Sequence, residues 1–357
     1  MGARVRRGTF ERMALAALAA VVCGGRAVAD GGACQGFGPW SPPVNLGSVV
    51  NSPNNDFHPA ISPDGMSLYI TSDRPGGSGL EDIWVAHRAS SSAPWGAPVA
   101  LGPNVNTAES EYAPSVSADG HWLLFSRASR PFGQVGPSQI FVSHRDDVTD
   151  DLAWEPAHLL AGGINDPAFD TNAPRLFVDT HTGVVSIFFN STLRSGGLGD
   201  YDEYVSHRGV PKELDLYGLE FPEGDNVTGL NSPFRDTPTG LGSDGLSMLI
   251  TSNRDGFTGQ SDSPPRPRNL DLWVAARSKS MADDWQLPVN LNTDAVNENG
   301  VRCSEAPSPA CLNTTSNEGG PALSLDGTTL YFYSDRPGGS GGRDLYFSTR
   351  TPSCGGQ

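Results

Sequence analysis

The chain has 357 residues, 43 of them glycine and 29 proline, with only 18% charged residues and a formal net charge of −16. That composition suits many short strands joined by turns rather than helices, and the acidity excludes nucleic acid and anionic lipid surfaces as partners. Beyond the leader described next, no apolar stretch is long enough to cross a bilayer, which excludes membrane insertion.

Arg4, Arg6, Arg7 and Arg12 give a basic start, Met13 to Cys23 is almost purely apolar, and Ala27-Val28-Ala29 puts small residues where a signal peptidase reads. Residues 1–29 are therefore expected to be a cleaved secretory signal, and the mature chain, 30–357, to be secreted or periplasmic. A lipid anchor at Cys23 is the rival reading, opposed by Val22 at a position that normally needs a small residue. Loss of the leader removes five Arg and one Glu and leaves 19 basic and 39 acidic residues, a net charge of −20. Four cysteines remain, Cys34, Cys303, Cys311 and Cys354. An even count in an exported chain points to two disulfides.

The segment Asp56-Phe-His-Pro-Ala-Ile-Ser-Pro-Asp-Gly-Met-Ser-Leu-Tyr-Ile-Thr-Ser-Asp-Arg74 matches Glu318-Gly-Gly-Pro-Ala-Leu-Ser-Leu-Asp-Gly-Thr-Thr-Leu-Tyr-Phe-Tyr-Ser-Asp-Arg336 in register, and looser copies start near Glu111, Asp170 and Asp236. Each copy is followed by a frame that runs from a polar residue through an aromatic one to an arginine: Asp82–Trp84–Arg88, Gln139–Phe141–Arg145, Asp202–Tyr204–Arg208, Asp271–Trp273–Arg277 and Asp344–Tyr346–Arg350. Within a copy, one strand leads to an Asp-Gly hairpin turn. A second strand ends at Arg74 or its equivalent, a Gly-rich loop follows, a third strand carries the aromatic frame, and a fourth begins at Trp95, Trp154 or Trp285. The third copy lacks that Trp and carries an odd segment, Gly209 to Asp225. A unit of about 60 residues with four short strands is a β-propeller blade. The last copy stops after its third strand, and Trp40-Ser-Pro-Pro-Val-Asn-Leu46 at the other end supplies the missing fourth. The expected fold is an all-β, five-bladed propeller in one domain. A Cys34–Cys354 bond would latch the ring, worth roughly 5 kcal/mol in the chain-entropy model, and Cys303 with Cys311 would staple one loop.

The Pro-x-x-Ser-x-Asp-Gly and Ser-Asp-Arg-x-Gly-Gly-x-Gly-x-x-Asp-[Leu/Ile]-Trp pattern resembles the propeller repeat of TolB and related WD-repeat-like bacterial proteins, over about residues 40 to 350. The resemblance implies the fold. It does not carry an envelope-assembly role, because TolB has an extra α/β domain and more blades.

The large insertions Asp255–Leu270 and Glu298–Asn317 fall on the face where inner strands begin, and Gly209–Asp225 on the opposite one. On the first face each copy offers one carboxylate, Asp56, Glu111, Asp170, Asp236 or Glu318, five residues after Asn51, Asn106, Asn165, Asn231 or Asn313. Five acids converging on a channel mouth would repel unless a cation compensates, so a cation or cationic ligand group is expected there; calcium enters with a third reading, a mainly structural propeller stiffened by that ion. The competing reading is that each acid ties down its own loop. Arg74 with Asp82, Arg194 with Asp202 and Arg336 with Asp344 are expected as ion pairs within blades, and His87, His144 and His207 as blade-edge residues. No P-loop, H-E-x-x-H, G-x-S-x-G or EF-hand motif occurs, and no catalytic residue is assigned. The leading expectation is a monomeric exported binding module for a protein, peptide or glycan at the insertion-bearing face. The alternative is a glycoside hydrolase using two of the inner-strand carboxylates at about 5–9 Å separation.

Overall fold

Each repeat folds into a four-stranded antiparallel sheet, and the computed structural model describes residues 34–134, 136–192, 194–209, 214–254 and 269–354 of the chain. The leader and the segment 255–268 lie outside the described residues. In the first blade the inner strand is Asp56–Ile61, followed by Ser67–Ser72, Asp82–His87 and the short outer Val99–Ala100. The other inner strands are Ser110–Val116, Thr171–Asp179, Asp236–Leu241 and Glu318–Leu323. In the last blade the outer strand is Val44–Asn45, paired with Asp344–Thr349, so the ring closes as the repeat requires. A further pair, Cys34–Phe37 against Pro352–Cys354, sets the backbone of Cys34 across from that of Cys354. The side chains of those two cysteines lie outside the described part.

The core is a set of seams. Five main apolar clusters each join two consecutive blades; Ile70, Trp84, Tyr331 and Leu345, for example, meet where the last blade closes on the first. The recurring arginine that ends each third strand holds the opposite edge. Arg88, Arg145, Arg277 and Arg350 donate through Nε to the carbonyls of the turn glycines Gly65, Gly120, Gly245 and Gly327 at 2.7–2.9 Å. Each guanidinium also stacks over a Trp: Trp95, Trp154, Trp285 and Trp40. In the third blade, which has no such Trp, Arg208 donates to the carbonyl of Glu220 in the Gly209–Asp225 insertion.

The asparagines that precede the inner acids bind both within their own loops, as Asn106 Nδ2 does to Leu101 O, and to the third strand of the preceding blade. Asn106 Oδ1 accepts from Ile83 N and its Nδ2 donates to Ile83 O, both at 2.9 Å. Asn165 does the same with Ile140, Asn231 with Glu203, Asn313 with Leu272 and Asn51 with Leu345. One amide thus completes the ladder of the preceding blade's third strand. A third contact joins neighbouring blades near the axis, where four inner strands bulge through a residue at positive φ: His58, Ala113, Ala173 and Gly320. The amides of Ala113, Ala173 and Gly320 donate to Thr71, Ser126 and Thr251 of the preceding blade. Replacing Asn106 by Ala strips partners from buried Ile83 groups and is expected to cost about 3 kcal/mol, read as a lowered urea midpoint with an unchanged m-value.

Candidate functional site

The five inner-strand carboxylates are buried, four of them 0% exposed and Asp170 6%. Asp56 accepts Ser52 N and Oγ, Ser72 Oγ and Arg74 Nη2, the last at 2.5 Å. Asp236 repeats this with Ser232, Ser252 and Arg254, and Glu318 with Thr314, Ser334 and Arg336. Glu111 takes Thr107 and Arg127. Asp170 takes Arg130, Ser138, Tyr201 and Asn172. Asp56, Glu111, Asp236 and Glu318 therefore each tie down their own loop against one arginine, whereas Asp170 stands one residue before its strand, takes Arg130 and Ser138 from the preceding blade, and leaves Thr171, opposite Ser191, at the position the other acids hold. Among the described residues no three His, Cys, Asp or Glu side chains stand together as a metal site.

The expected partners of the arginines are corrected by the register. Ser72 lies opposite Asp56, which carries Arg74 onto Asp56 rather than onto Asp82. Arg336 likewise pairs with Glu318, not Asp344. Arg194 meets no acid on its third strand and donates instead to Ile164 O and Thr171 Oγ1. Asp82, Asp202 and Asp344 cap the Gly-rich loops, accepting from Ser78, Leu198 and Ser340 N–H at 2.7–2.9 Å. That loop must be glycine where a Cβ on Gly77 or Gly339 would collide with the Asp82 or Asp344 carboxylate. His87 and His144 end the third strands of two blades, and His207 lies two residues before the end of that of a third. The Glu298–Asn317 insertion is part of the core: its Cys303–Cys311 disulfide is buried, and both cysteines pack with Leu291, Leu312 and Trp40 in a seam.

At the face where inner strands begin, Phe57, His58, Tyr112, Phe132 and Tyr333 stack across the axis, with ring centroids 4.8–6.4 Å apart. These rings crowd the axis on that face. A pocket opens on the other face, at the ends of the inner strands: about 460 Å³, walled by Ile61, Val116, Leu176, Phe177, Leu241 and Leu323. Arg175 lines it and bridges blades, donating to Thr239 O and Pro114 O. Leu214, from the Gly209–Asp225 insertion, also lines it. No sequence pattern marked this pocket, because its walls are ordinary alternating strand residues that become a funnel only when five blades converge.

One acid departs from all these networks. Glu203 occupies the position held by Ile83, Ile140, Leu272 and Leu345 in the other blades, is 0% exposed, and neither carboxylate oxygen has a hydrogen-bond partner. Burial holds its carboxyl well above the usual range, opposed by Arg175.

No family model and no curated protein sequence matches the chain. Solved structures do. An α-L-arabinofuranosidase from Lactobacillus brevis is 12% identical over 87% of this chain and 98% of its own, with a TM-score of 0.50. A family 117 glycoside hydrolase from Zobellia galactanivorans is 12% identical over 89% and 90%, TM-score 0.51. A GH43 enzyme from Xanthomonas citri, complexed with xylotriose, is 11% identical over 86% and 89%, TM-score 0.50. These are likenesses of fold. They confirm the five-bladed propeller, and they set it beside glycoside hydrolase propellers rather than the TolB-like proteins that the repeat resembles.

Two outcomes test this account of the acids. Arg74→Met leaves Asp56 buried and uncompensated, with an expected loss of about 3–5 kcal/mol, while EDTA leaves the melting temperature of the unmodified protein unchanged; a clear EDTA shift would place a metal on the ring after all. Glu203 binds its proton more tightly folded than unfolded, so it favours the fold at low pH and that contribution is lost as pH rises. Glu203→Leu is expected to match the wild type near pH 4 and to exceed it by about 1–3 kcal/mol at pH 8, measured by denaturant unfolding at both.

Proposed function

We propose that the protein is an exported binding module whose ligand presents an apolar group to the axial pocket on the hairpin-turn face. The observation that carries this is the pocket itself: an open, apolar-walled cavity of about 460 Å³ in a protein whose acids at the starts of the inner strands are each held by an arginine. Concave apolar sites with a few convergent polar groups are the usual form of a ligand site. The insertion that breaks the repeat in the third blade reaches this same pocket through Leu214, and repeat proteins bind on faces that carry insertions. The ligand face is thus opposite to the one its larger insertions suggested.

The fold shared with glycoside hydrolase propellers favours a second reading, cleavage of a glycosidic bond by Asp56, Glu111, Asp170 or Asp236. Hydrolysis needs two carboxylates free to face a sugar, and fold alone assigns no chemistry. The wall of the pocket offers one acid, Asp119, whose Oδ1 is taken by Ser117 and His121 N.

A fluorescent neutral probe, N-phenyl-1-naphthylamine, is expected to bind one equivalent to the mature protein. Ser243→Trp, at the exposed rim of the pocket, should abolish that binding at an unchanged melting temperature. Binding that survives Ser243→Trp would refute the pocket as the site. Turnover of 4-nitrophenyl α-L-arabinofuranoside that is lost in Asp236→Asn would establish the second reading instead.

A further inference from the structure

The blades repeat closely except where they meet the axis on the face opposite the pocket. The bulged residue is Ala113, Ala173 and Gly320 in three blades, but His58 in the first, where a bulky side chain is held at φ 47°. A non-glycine residue in that region is uncommon and is kept where the surroundings enforce it. The seam hydroxyl is Thr71, Ser126 and Thr251, but Tyr333 in the last blade, which stands against His58 with ring centroids 5.9 Å apart. The residue before the inner acid is Asn55 or Asn317 in the first and last blades, where its amide binds Asp73 or Asp335. In the fourth blade it is Arg235, and the matching aspartate has become Asn253. The residue before the third-strand acid is Glu81, Ser138, Tyr201 and Leu270, but Arg343 in the last blade.

Three of these departures, His58, Arg235 and Tyr333, line one small chamber of about 20 Å³ together with Phe132 and Asn190, while Arg343 lies outside its lining. Arg343 lies over the rings of Phe132 and Tyr333, and Arg235 over Tyr201. Among the described residues neither guanidinium has a carboxylate within 4 Å, and Arg235 Nε is buried without a partner. Of the carboxylates around it, Glu81 is taken by Ser110 and Phe132 N and Asp170 by Arg130, Ser138 and Tyr201, while Glu203, across the sheet from Asn190, has no hydrogen-bond partner and its carboxyl is held by burial well above the usual range. His58 is 6% exposed and its Nδ1 has no partner. A positive, partly desolvated chamber with unspent donors is the complement of an oxyanion.

We propose that this chamber is an anion site, in which Arg235 holds a small carboxylate, His58 supplies a further N–H, and Arg343 adds positive charge from its place over the Phe132 and Tyr333 rings. The site has the opposite sign to the one expected for this face, because the inner acids are each held by an arginine while the two arginines the repeat does not pair are left facing the axis. Burial and the charges of Arg175, Arg343 and Arg235 together hold the imidazole well below its usual value, hence neutral. An anion that offsets those charges makes His58 easier to protonate.

The test is a titration of the mature protein with sodium acetate against sodium chloride at constant ionic strength, followed by NMR of the His58 ring. Saturable shifts in the millimolar range and a raised His58 pKa are expected with acetate. Arg235→Gln should weaken the response about tenfold or more, Arg235→Lys should retain most of it, and the exposed Arg208→Gln should leave it unchanged. A linear, non-saturating response, or one that persists at full strength in Arg235→Gln, overturns the proposal. Because this chamber and the probe pocket lie on opposite faces, Ser243→Trp is expected to leave acetate binding intact, so failure of either site is distinguishable from failure of the other.

Discussion

The ring depends on one hydrogen-bonded device made five times: a buried asparagine amide that reads both backbone groups of one residue in the preceding blade. The outer strands are only two residues long. Part of every third strand is therefore left without a ladder partner at the face where inner strands begin. Unpaired backbone groups buried at a seam are costly, and the asparagine removes that cost while fixing the angle between blades. In four blades the acid five residues later then pins the loop that delivers the asparagine. The two residues form one unit there, and in the third blade Thr171 takes the acid's place in the register.

This explains which parts of the molecule were legible in the chain and which were not. Blade number, the Asp-Gly turns and closure by Trp40–Leu46 follow from spacing alone, because repeated local patterns can only build repeated local structure. The partner of Arg74 does not. Along the chain Arg74 and Asp82 flank the same loop, but a hairpin register carries the end of the second strand back to the start of the first, so Arg74 reaches Asp56. The seam role of Asn106 is hidden for a related reason: its partner, Ile83, lies in another blade, and neither residue is unusual where it stands. The axial pocket is hidden most deeply, since its volume is what remains between five strands that never adjoin in sequence.

Regularity itself says where specificity is placed. Residues that recur in nearly every blade, the Asn–acid unit, the third-strand arginine and the Trp it stacks on, are all spent on turns and seams. What distinguishes one blade from another is concentrated near the axis. Pro238 stands where other inner strands offer an N–H at the bulge, and the facing residue, Asn190, is left with an unpartnered Oδ1 beside the unpartnered Glu203. A sequence that keeps a buried glutamate where four other blades place Ile or Leu gives up stability at that seam. Such local losses are retained where the fold serves something besides itself.

The charge of the protein runs in two directions at once. The surface is strongly acidic, yet the axis carries Arg175, Arg235 and Arg343, all close enough to depress the ionisation of His58. Surface acids act through water and are screened within about 8–10 Å at ordinary ionic strength. The axial arginines act in a partly desolvated interior where screening is weak. A ligand of the proposed anion site would therefore be sorted twice: anionic bulk would be turned away by the exterior, and only a small or largely neutral ligand that exposes a single acidic group would gain from the interior. Acidity of the whole chain and positivity of its axis are in that sense complementary, and the local field, not the net charge, decides what the chamber holds.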